Sequence, residues 1–343
     1  MTVECRLLQA EDQATWDAYV DKNPDGTFFH RSAWRHVIEE SFHHKPYYFI
    51  TRRAGRVTGV LPLVRIKTRL FGDSLISTPY CVHGGPLSDD PESLSALMAM
   101  VKSLMAQFNI PACEIRGATA LGEGWTPSAP LYANFRKPLQ RTAEETLKAI
   151  PRKQRAVVRK AIEHGLTSTV QTCLDPFFGL YAESLRDHGT PMFPRKYFTA
   201  LLKHFGKDVE ILSVYENATP VCSVLCFVHK NEILPYYAGG NKMSRRLGGH
   251  DFMYWEVMRR AVDRGLTSFD FGRSKINTGA YAFKRNWGFE PAPLTYSWHV
   301  RAGHAIPEHN PLNPKYRLMI AAWKRLPVSV ANVIGPHLIR GLG

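Results

Sequence analysis

Residues 209–274 contain, in order, VEILSVYE (209–216), TPVCSVLCFVHK (219–230), EILPYYAGG (232–240), FMYWEVMRRAVDRG (252–265) and TSFDFGRS (267–274). The first three segments are rich in β-branched and aromatic residues. They are separated by polar breaks, one at Asn217, and so predict three strands. The fourth carries apolar residues at helical spacing and stops at Gly265, which predicts a helix with Asp251 as its N-cap. The fifth is a further strand. The order is strand, strand, strand, helix, strand, with Gly239-Gly240 leading into the helix.

The same order occurs upstream. PYYFITRR (46–53) and GRVTGVLPLVRI (55–66) read as strands joined at Ala54-Gly55. LISTPYCVHGG (75–85) is a third strand ending in glycines, SLSALMAMVKSLMAQF (93–108) has helical spacing, and ACEIRGA (112–118) is another strand. Helical segments precede each copy: 32–42, with Trp34, Val37 and Ile38 on one face, and then 141–165 and 176–205. A repeated supersecondary unit predicts an α+β protein of two tandem domains, each a mixed sheet flanked by helices. The expected divisions are 1–140, 141–305 and a basic, apolar tail, 306–343. Chance similarity between halves of a generic α+β protein is the competing explanation.

Composition fits this scheme. The 343 residues suffice for two domains, and 44% hydrophobic content supports packed cores. A formal net charge of +14 favours anionic partners: nucleic acid, a lipid surface, or a phosphate-bearing ligand. Cys5, Cys81, Cys113, Cys173, Cys222 and Cys226 form no CxxC pair, so buried free thiols are expected and no metal site is. The polar start MTVECRLLQAEDQ is unlike a secretion signal, and no apolar run is long enough to span a membrane. The expected location is cytoplasmic.

The segment Gly239–Asp251 combines four glycines with Lys242, Arg245 and Arg246 between a strand and a helix, a layout suited to a cofactor phosphate. A basic surface loop is the alternative. Its counterpart, His83–Asp90, is acidic and contains a proline, so only the second copy reads as a cofactor site. Of Tyr236 and Tyr237, strand alternation lets one face a ligand.

This layout resembles the GNAT superfamily, whose cofactor loop reads Arg/Gln-x-x-Gly-x-Gly/Ala. Arg245-Arg246-Leu247-Gly248-Gly249-His250 matches at the first two fixed positions and departs at His250, which weighs against ordinary acetyl-CoA binding. The resemblance implies a cofactor site of Tyr237, Gly239, Gly240, Arg245, Arg246, Gly248 and Gly249. The tandem arrangement is similar to the FemABX branch, which transfers amino acids from aminoacyl-tRNA to a cell-wall precursor. Three stretches carry that similarity: Pro151–Ala161, Phe269–Gly272 and Phe283–Phe289. It implies that Phe283 and Lys284 line the transfer centre. No heptad stretch suggests the coiled-coil arm of some Fem ligases. The His-Gly-Thr-Pro-x-Phe-Pro stretch His188–Pro194 and the Asn-Pro-x-x-Pro-Lys-Tyr stretch Asn310–Tyr316 resemble FemAB-like proteins of PEP-CTERM/exosortase and exopolysaccharide loci.

Each candidate has a plainer reading. Arg152, Arg155 and Arg159 share one helical face that could grip RNA or a phosphate-rich substrate, or could simply be solvated. Arg273 and Lys275 extend the expected substrate-binding set. Lys284 could stabilise an oxyanion or be a surface lysine. Asp270 could be a base for the acceptor amine or a buried partner of Arg273. His188 is a site candidate by resemblance, though one of 14 histidines. In the tail, apolar residues from Tyr316 to Ile334 alternate with Lys315, Arg317, Lys324, Arg325 and Arg340, which suits peripheral membrane contact at the inner face or a helix packed on the protein.

The expected function is an acyltransferase. An acyl-CoA or aminoacyl-tRNA donor would pass its group directly to an amine of a peptidoglycan, exopolysaccharide or other cell-envelope precursor, in a cleft between the domains and without a metal. The alternative is a non-catalytic protein that binds RNA or an anionic polymer on the same fold.

Overall fold

The computed structural model describes residues 2–69, 71–306 and 317–342. The chain runs β1 (Glu4–Leu7), α1 (Gln13–Lys22), α2 (Trp34–Phe42), β2 (Lys45–Arg53), β3 (Arg56–Thr68), β4 (Gly72–Ser77), β5 (Leu87–Ser88), α3 (Pro91–Gln107), β6 (Ala112–Arg116) and β7 (Thr126–Pro127). It continues through β8 (Tyr132–Pro138), α4 (Ala143–Ala149), α5 (Arg152–Glu163), β9 (Thr167–Gln171), α6 (Phe177–His188), α7 (Arg195–Phe205), β10 (Val209–Glu216), β11 (Thr219–His229) and β12 (Glu232–Gly240). Then follow α8 (Lys242–Leu247), α9 (Gly249–Asp263), β13 (Ser268–Asp270), β14 (Ser274–Lys275), α10 (Gly279–Asn286), β15 (Pro291–Leu294), β16 (Tyr296–Val300), α11 (Arg317–Trp323) and α12 (Val328–Ile339). The fold is α+β with two mixed sheets, and the repeat is real. In each sheet three antiparallel strands (β2-β3-β4 and β10-β11-β12) lead through a helix to a strand parallel to the third.

The compact units are not contiguous segments. One comprises Met1–Leu131, Leu294–Asn310 and Leu338–Gly343; the other comprises Tyr132–Pro293 and Pro311–His337. They differ from the divisions 1–140, 141–305 and 306–343 because each sheet takes a strand from the far side of the expected cut. In the first unit β16 pairs antiparallel with β6, from Tyr296↔Arg116 to Val300↔Ala112. In the second, β8 pairs antiparallel with β13, from Ser268↔Pro138 to Asp270↔Arg136. Sequence order alone could not reveal these pairings.

In the first unit, β1-β2-β3-β4-β6-β16-β7 form the sheet. Positive φ at Ala54 (49°) and Gly55 (78°) makes the tight β2–β3 turn. Helix α3 is capped by the Asp90 side chain, which accepts from the Ser93 N–H, and carries Pro91 in its first turn. It buries Leu97, Val101 and Met105 against Phe49, Leu61, Leu63 and Leu75. The helix expected over 32–42 forms as α2, with Trp34, Val37 and Ile38 fully buried.

The second unit's sheet runs β14-β8-β13-β12-β11-β10-β9. On one side, α9 places Phe252, Met253 and Val257 against Val214, Val224, Ile233 and Phe269. Cys222 and Cys226 lie in this core, and all six cysteines are free thiols. Elsewhere in the unit Tyr181, Phe193, Tyr197, Phe198 and Tyr237 form an edge-to-face and stacked aromatic cluster.

Candidate functional site

The site begins where two parallel strands part. Strand β12 pairs with β13 only at Glu232↔Ser268 and Ile233↔Phe269, although β12 continues to Gly240. Two features of β12 account for the divergence. Pro235 cannot donate to a ladder, and the register against β11 slips so that Tyr236 is the extra residue opposite Leu225 and Cys226. The crevice beyond the carboxyl ends of a parallel pair is where open sheets bind ligands.

The other wall, residues 270–273, is held away from β12. Buried Asp270 accepts from both sides: Asn134 Nδ2 lies 3.1 Å from each carboxylate oxygen, and the Gly272 N–H donates to Oδ1 at 2.7 Å. Lys284, from α10, donates to the carbonyl oxygens of Phe271 (2.7 Å), Gly272 (2.9 Å) and Arg273 (3.1 Å). Its ammonium also lies over the rings of Phe135 and Phe271. Burial pulls the Lys284 pKa down to about 7, with Asp270 opposing that pull, and burial pushes the Asp270 carboxyl up. An ammonium has three N–H donors, and these three carbonyls occupy them all. Lys284 is therefore built to shape the strand. An oxyanion could use it only if one of those bonds broke. Asp270 pairs with Asn134 and a backbone amide, not with Arg273, whose guanidinium lies 4.7 Å from the Tyr132 ring centroid.

Beside this opening is a cleft of about 330 Å³, lined by Ser184, His188, Gly240, Ser244, Arg245, Gly248, His250, Asp251 and Phe283. It belongs wholly to the second unit. Its floor differs from the expected loop. Lys242–Leu247 is a short helix, α8, capped by the Asn241 side chain, which accepts from the Ser244 N–H at 3.1 Å. Gly248, at φ +70°, turns α8 directly into α9, and a Cβ there would sit 2.8 Å from Val157 Cγ1. Asp251 therefore lies in the first turn of α9, inside the cleft, and is not its N-cap.

Asp251 accepts from Trp287 Nε1 at 3.0 Å, and burial raises its pKa to about 6. His250 contacts Ser244 Oγ through Nδ1 at 2.9 Å; burial, with Arg245 and His188 nearby, lowers its pKa to about 4, so the ring stays neutral at physiological pH. His188, at the end of α6, donates from Nδ1–H to the Ser184 carbonyl at 2.6 Å. Helix α10 and the residue that follows it serve the cleft three times: Phe283 lines it, Lys284 braces its wall and Trp287, at the helix C-cap, fixes Asp251.

Of the expected residues, the cleft gathers His188, Phe283, Arg245, Gly240 and Gly248; Gly249 opens α9 at its base. Three expectations are corrected. Tyr237 is a core residue whose hydroxyl meets Tyr197 Oη at 2.8 Å, and Tyr236 is the half-buried tyrosine near Gly272, because the bulge re-aims it. Gly239 serves packing, since a Cβ would lie 2.4 Å from Tyr181 Cα in α6. Arg155 does not join an open cationic face: it donates to the Lys148 and Ile150 carbonyls at the α4–α5 joint, whereas Arg152 and Arg159 are exposed. Arg246 is exposed, and Lys275 lies in β14. Asn310–Tyr316 lies outside the described residues.

Sequence reasoning missed Asp251 as a cleft carboxylate, Trp287 as its partner, and Asn134. Pro235 inside an otherwise regular strand was the readable signal of the opening. Among the described residues, no group of three or more His, Cys, Asp or Glu side chains could hold a metal ion.

With this geometry in view, the fold is that of a tandem GNAT protein. Residues 147–285 match the family profile described as "Acetyltransferase (GNAT) domain". Among solved structures, FemX superposes with a TM-score of 0.70 at 16% identity, covering 92% of this chain and 100% of that one. L-PGS from Bacillus licheniformis follows at 0.56 and 14%, covering 94% and 98%. A tandem GNAT protein from the clavulanic acid biosynthesis pathway gives 0.51 and 13%, covering 89% and 100%. No curated protein matches the chain by sequence.

Proposed function

We propose that the second unit transfers an acyl or aminoacyl group to an amine in the cleft bounded by His188, His250, Asp251 and Phe283. The observation that carries this reading is Asp251, a carboxylate in the cleft with a pKa near 6, fixed by Trp287 at the mouth of a splayed parallel strand pair. Such a group is ionised at neutral pH and can accept the proton an amine loses on attack. The amine nitrogen bonds to the donor carbonyl carbon, and the bond from that carbon to sulfur or oxygen breaks. The proton passes through Asp251 to the leaving group. His188 lines the same cleft. Lys284 acts as a positioning residue.

The donor is a CoA thioester or an aminoacyl-tRNA ester. Both bring phosphates, which suits Arg245 at the rim and the exposed Arg246, Arg152 and Arg159. The GNAT match over residues 147–285 supports an acyl donor in general, and the FemABX-like stretches favour an aminoacyl donor and an amine of a cell-envelope or exopolysaccharide precursor as acceptor. The formal net charge of +14 and the departure of the cofactor loop at His250 favour the second reading, a protein that binds RNA or an anionic polymer without turnover.

The test pairs binding with transfer. Thermal shift against acetyl-CoA, longer acyl-CoAs and charged or uncharged tRNA identifies the donor; mass spectrometry then follows transfer to amine acceptors by wild type and D251N. Turnover in the wild type that falls about a hundredfold or more in D251N supports the proposal. Wild-type binding to tRNA without any transfer moves the assignment to the second reading.

A further inference from the structure

The two C-terminal helices, α11 and α12, turn several large apolar side chains to solvent. Leu318 is 85% exposed and Met319 56% in α11; Val333 is 67%, Ile334 41% and Val330 38% exposed in α12. On α12, Val330, Val333, Ile334 and His337 fall at i, i+3, i+4 and i+7 and share one stripe. The opposite face is small and buried: Ala331 and Gly335 lie inward, and a Cβ on Gly335 would meet the Met192 backbone nitrogen at 3.0 Å. Surface helices of water-soluble proteins show the reverse polarity.

The two helices cannot rotate to hide the exposed apolar residues. Trp323 is buried, Ile320 packs on Gly189, and Arg186 Nη1 donates to the Leu326 carbonyl at 2.9 Å, so the inward face is committed to the loop after α6. Charge identifies what would cover the outward face. From His309 to Gly343 the sequence has no Asp or Glu, but it has Lys315, Arg317, Lys324, Arg325 and Arg340. Lys324 and Arg325 are exposed in the turn joining the two helices. A second copy of the chain would bring one basic patch against another across a two-fold axis, which like-charge repulsion opposes. An RNA would not match the apolar stripe.

We propose that α11 and α12 form an interfacial docking surface for an anionic lipid bilayer. Leu318, Met319, Val330, Val333 and Ile334 enter the boundary between headgroups and acyl chains, and Lys324 and Arg325 sit at the phosphate level. Neither helix spans the bilayer, since no described helix is long and apolar enough to cross one. The surface is independent of the reaction assigned to the cleft.

Flotation of the full chain with phosphatidylglycerol–phosphatidylcholine vesicles, and with phosphatidylcholine vesicles alone, tests this. Binding should need the anionic lipid and weaken with salt. The L318E/V333E variant should bind at least about tenfold more weakly with an unchanged melting temperature, since both side chains project into water. K324A/R325A changes only charge, and should weaken binding by about fivefold for each charge removed. The proposal is overturned if the wild type does not float with anionic vesicles, or if both variants bind like wild type. It is equally overturned if sedimentation shows a dimer that L318E/V333E abolishes while vesicle binding is absent.

Discussion

The Lys284 ammonium lies 2.7 Å from the carbonyl oxygen of Phe271, thirteen positions earlier in the chain, and it takes the next two carbonyls as well. These contacts place an inward-pointing cation behind the strand that bounds the cleft. Its position explains why β13 ends at Asp270 and does not follow β12 to Gly240. The carbonyls of 271–273, which could otherwise seek a ladder partner, are satisfied from the side.

Lys284→Met should therefore alter fold and function together. Three carbonyl oxygens would lose their donors in a low-dielectric setting, at a cost of about 2–3 kcal/mol. The melting temperature should fall, and donor binding should weaken because the opening relaxes. Lys284→Arg should not restore either property, since a planar guanidinium cannot reproduce three converging bonds from one nitrogen. A variant that lost turnover while keeping the wild-type melting curve would instead make Lys284 a group acting on the reacting atoms.

Asp251 makes a pH prediction. Its folded pKa is raised to about 6, so the carboxylate form gains as pH rises through that value. If it accepts the amine proton, kcat/KM should rise across the same interval and level off above it. Asp251→Asn keeps an acceptor for Trp287 and removes a buried charge, so stability should hold. Activity should fall by about two orders of magnitude or more, and the limb near pH 6 should vanish. A D251N enzyme that kept the limb would assign it to another group.

Much of this fold could be read from periodicity, because strands and amphipathic helices announce themselves locally. The tandem repeat, the α3 and α9 helices and the turn at Ala54-Gly55 all follow from short-range patterns. The pairing of β16 with β6 and of β8 with β13 joins segments distant in sequence, and no local pattern encodes it. The cleft was half legible. Several residues of the marked segment 239–251 line one cleft, but glycines at 239 and 248 looked alike in sequence and serve different ends. Asp251 fits an N-cap by position, and only the αL turn at Gly248 moves the helix start upstream and leaves the carboxylate facing the cleft. Tyr237 was misplaced because one bulged residue reverses the side to which later side chains point.

The glycine pair offers a direct check on that distinction. A methyl at Gly239 would meet the Tyr181 Cα at 2.4 Å and the Leu180 carbonyl oxygen at 2.5 Å, both backbone atoms that move only with α6. Gly239→Ala should cost about 2–3 kcal/mol of stability. A methyl at Gly240 meets the His250 ring at 2.6 Å and Cys222 Cβ at 2.9 Å. The ring can shift, at the expense of the cleft it lines. Gly240→Ala should lower the melting temperature less and donor affinity more. Thermal melts and donor titrations on the two variants separate the roles; equal losses in both assays would mean that both glycines only pack.

The arginines of α5 divide in the same way. Arg155 donates to the Lys148 carbonyl at 2.5 Å and to that of Ile150 at 3.4 Å, so it closes the joint between α4 and α5. Arg152 and Arg159 stand exposed. If the donor is tRNA, its binding should weaken as salt rises, and each phosphate contact contributes about −0.7 to −0.9 to the slope of log K against log salt. Arg152→Ala/Arg159→Ala should flatten that slope by about 1 to 2, with no change in melting. Arg155→Ala should lower the melting temperature and leave the slope as it was, because its guanidinium is already committed to main-chain oxygens. A slope that responds to Arg155 alone would mean that these bonds open when the donor binds, and the helix would then be a hinge rather than a fixed cationic rail.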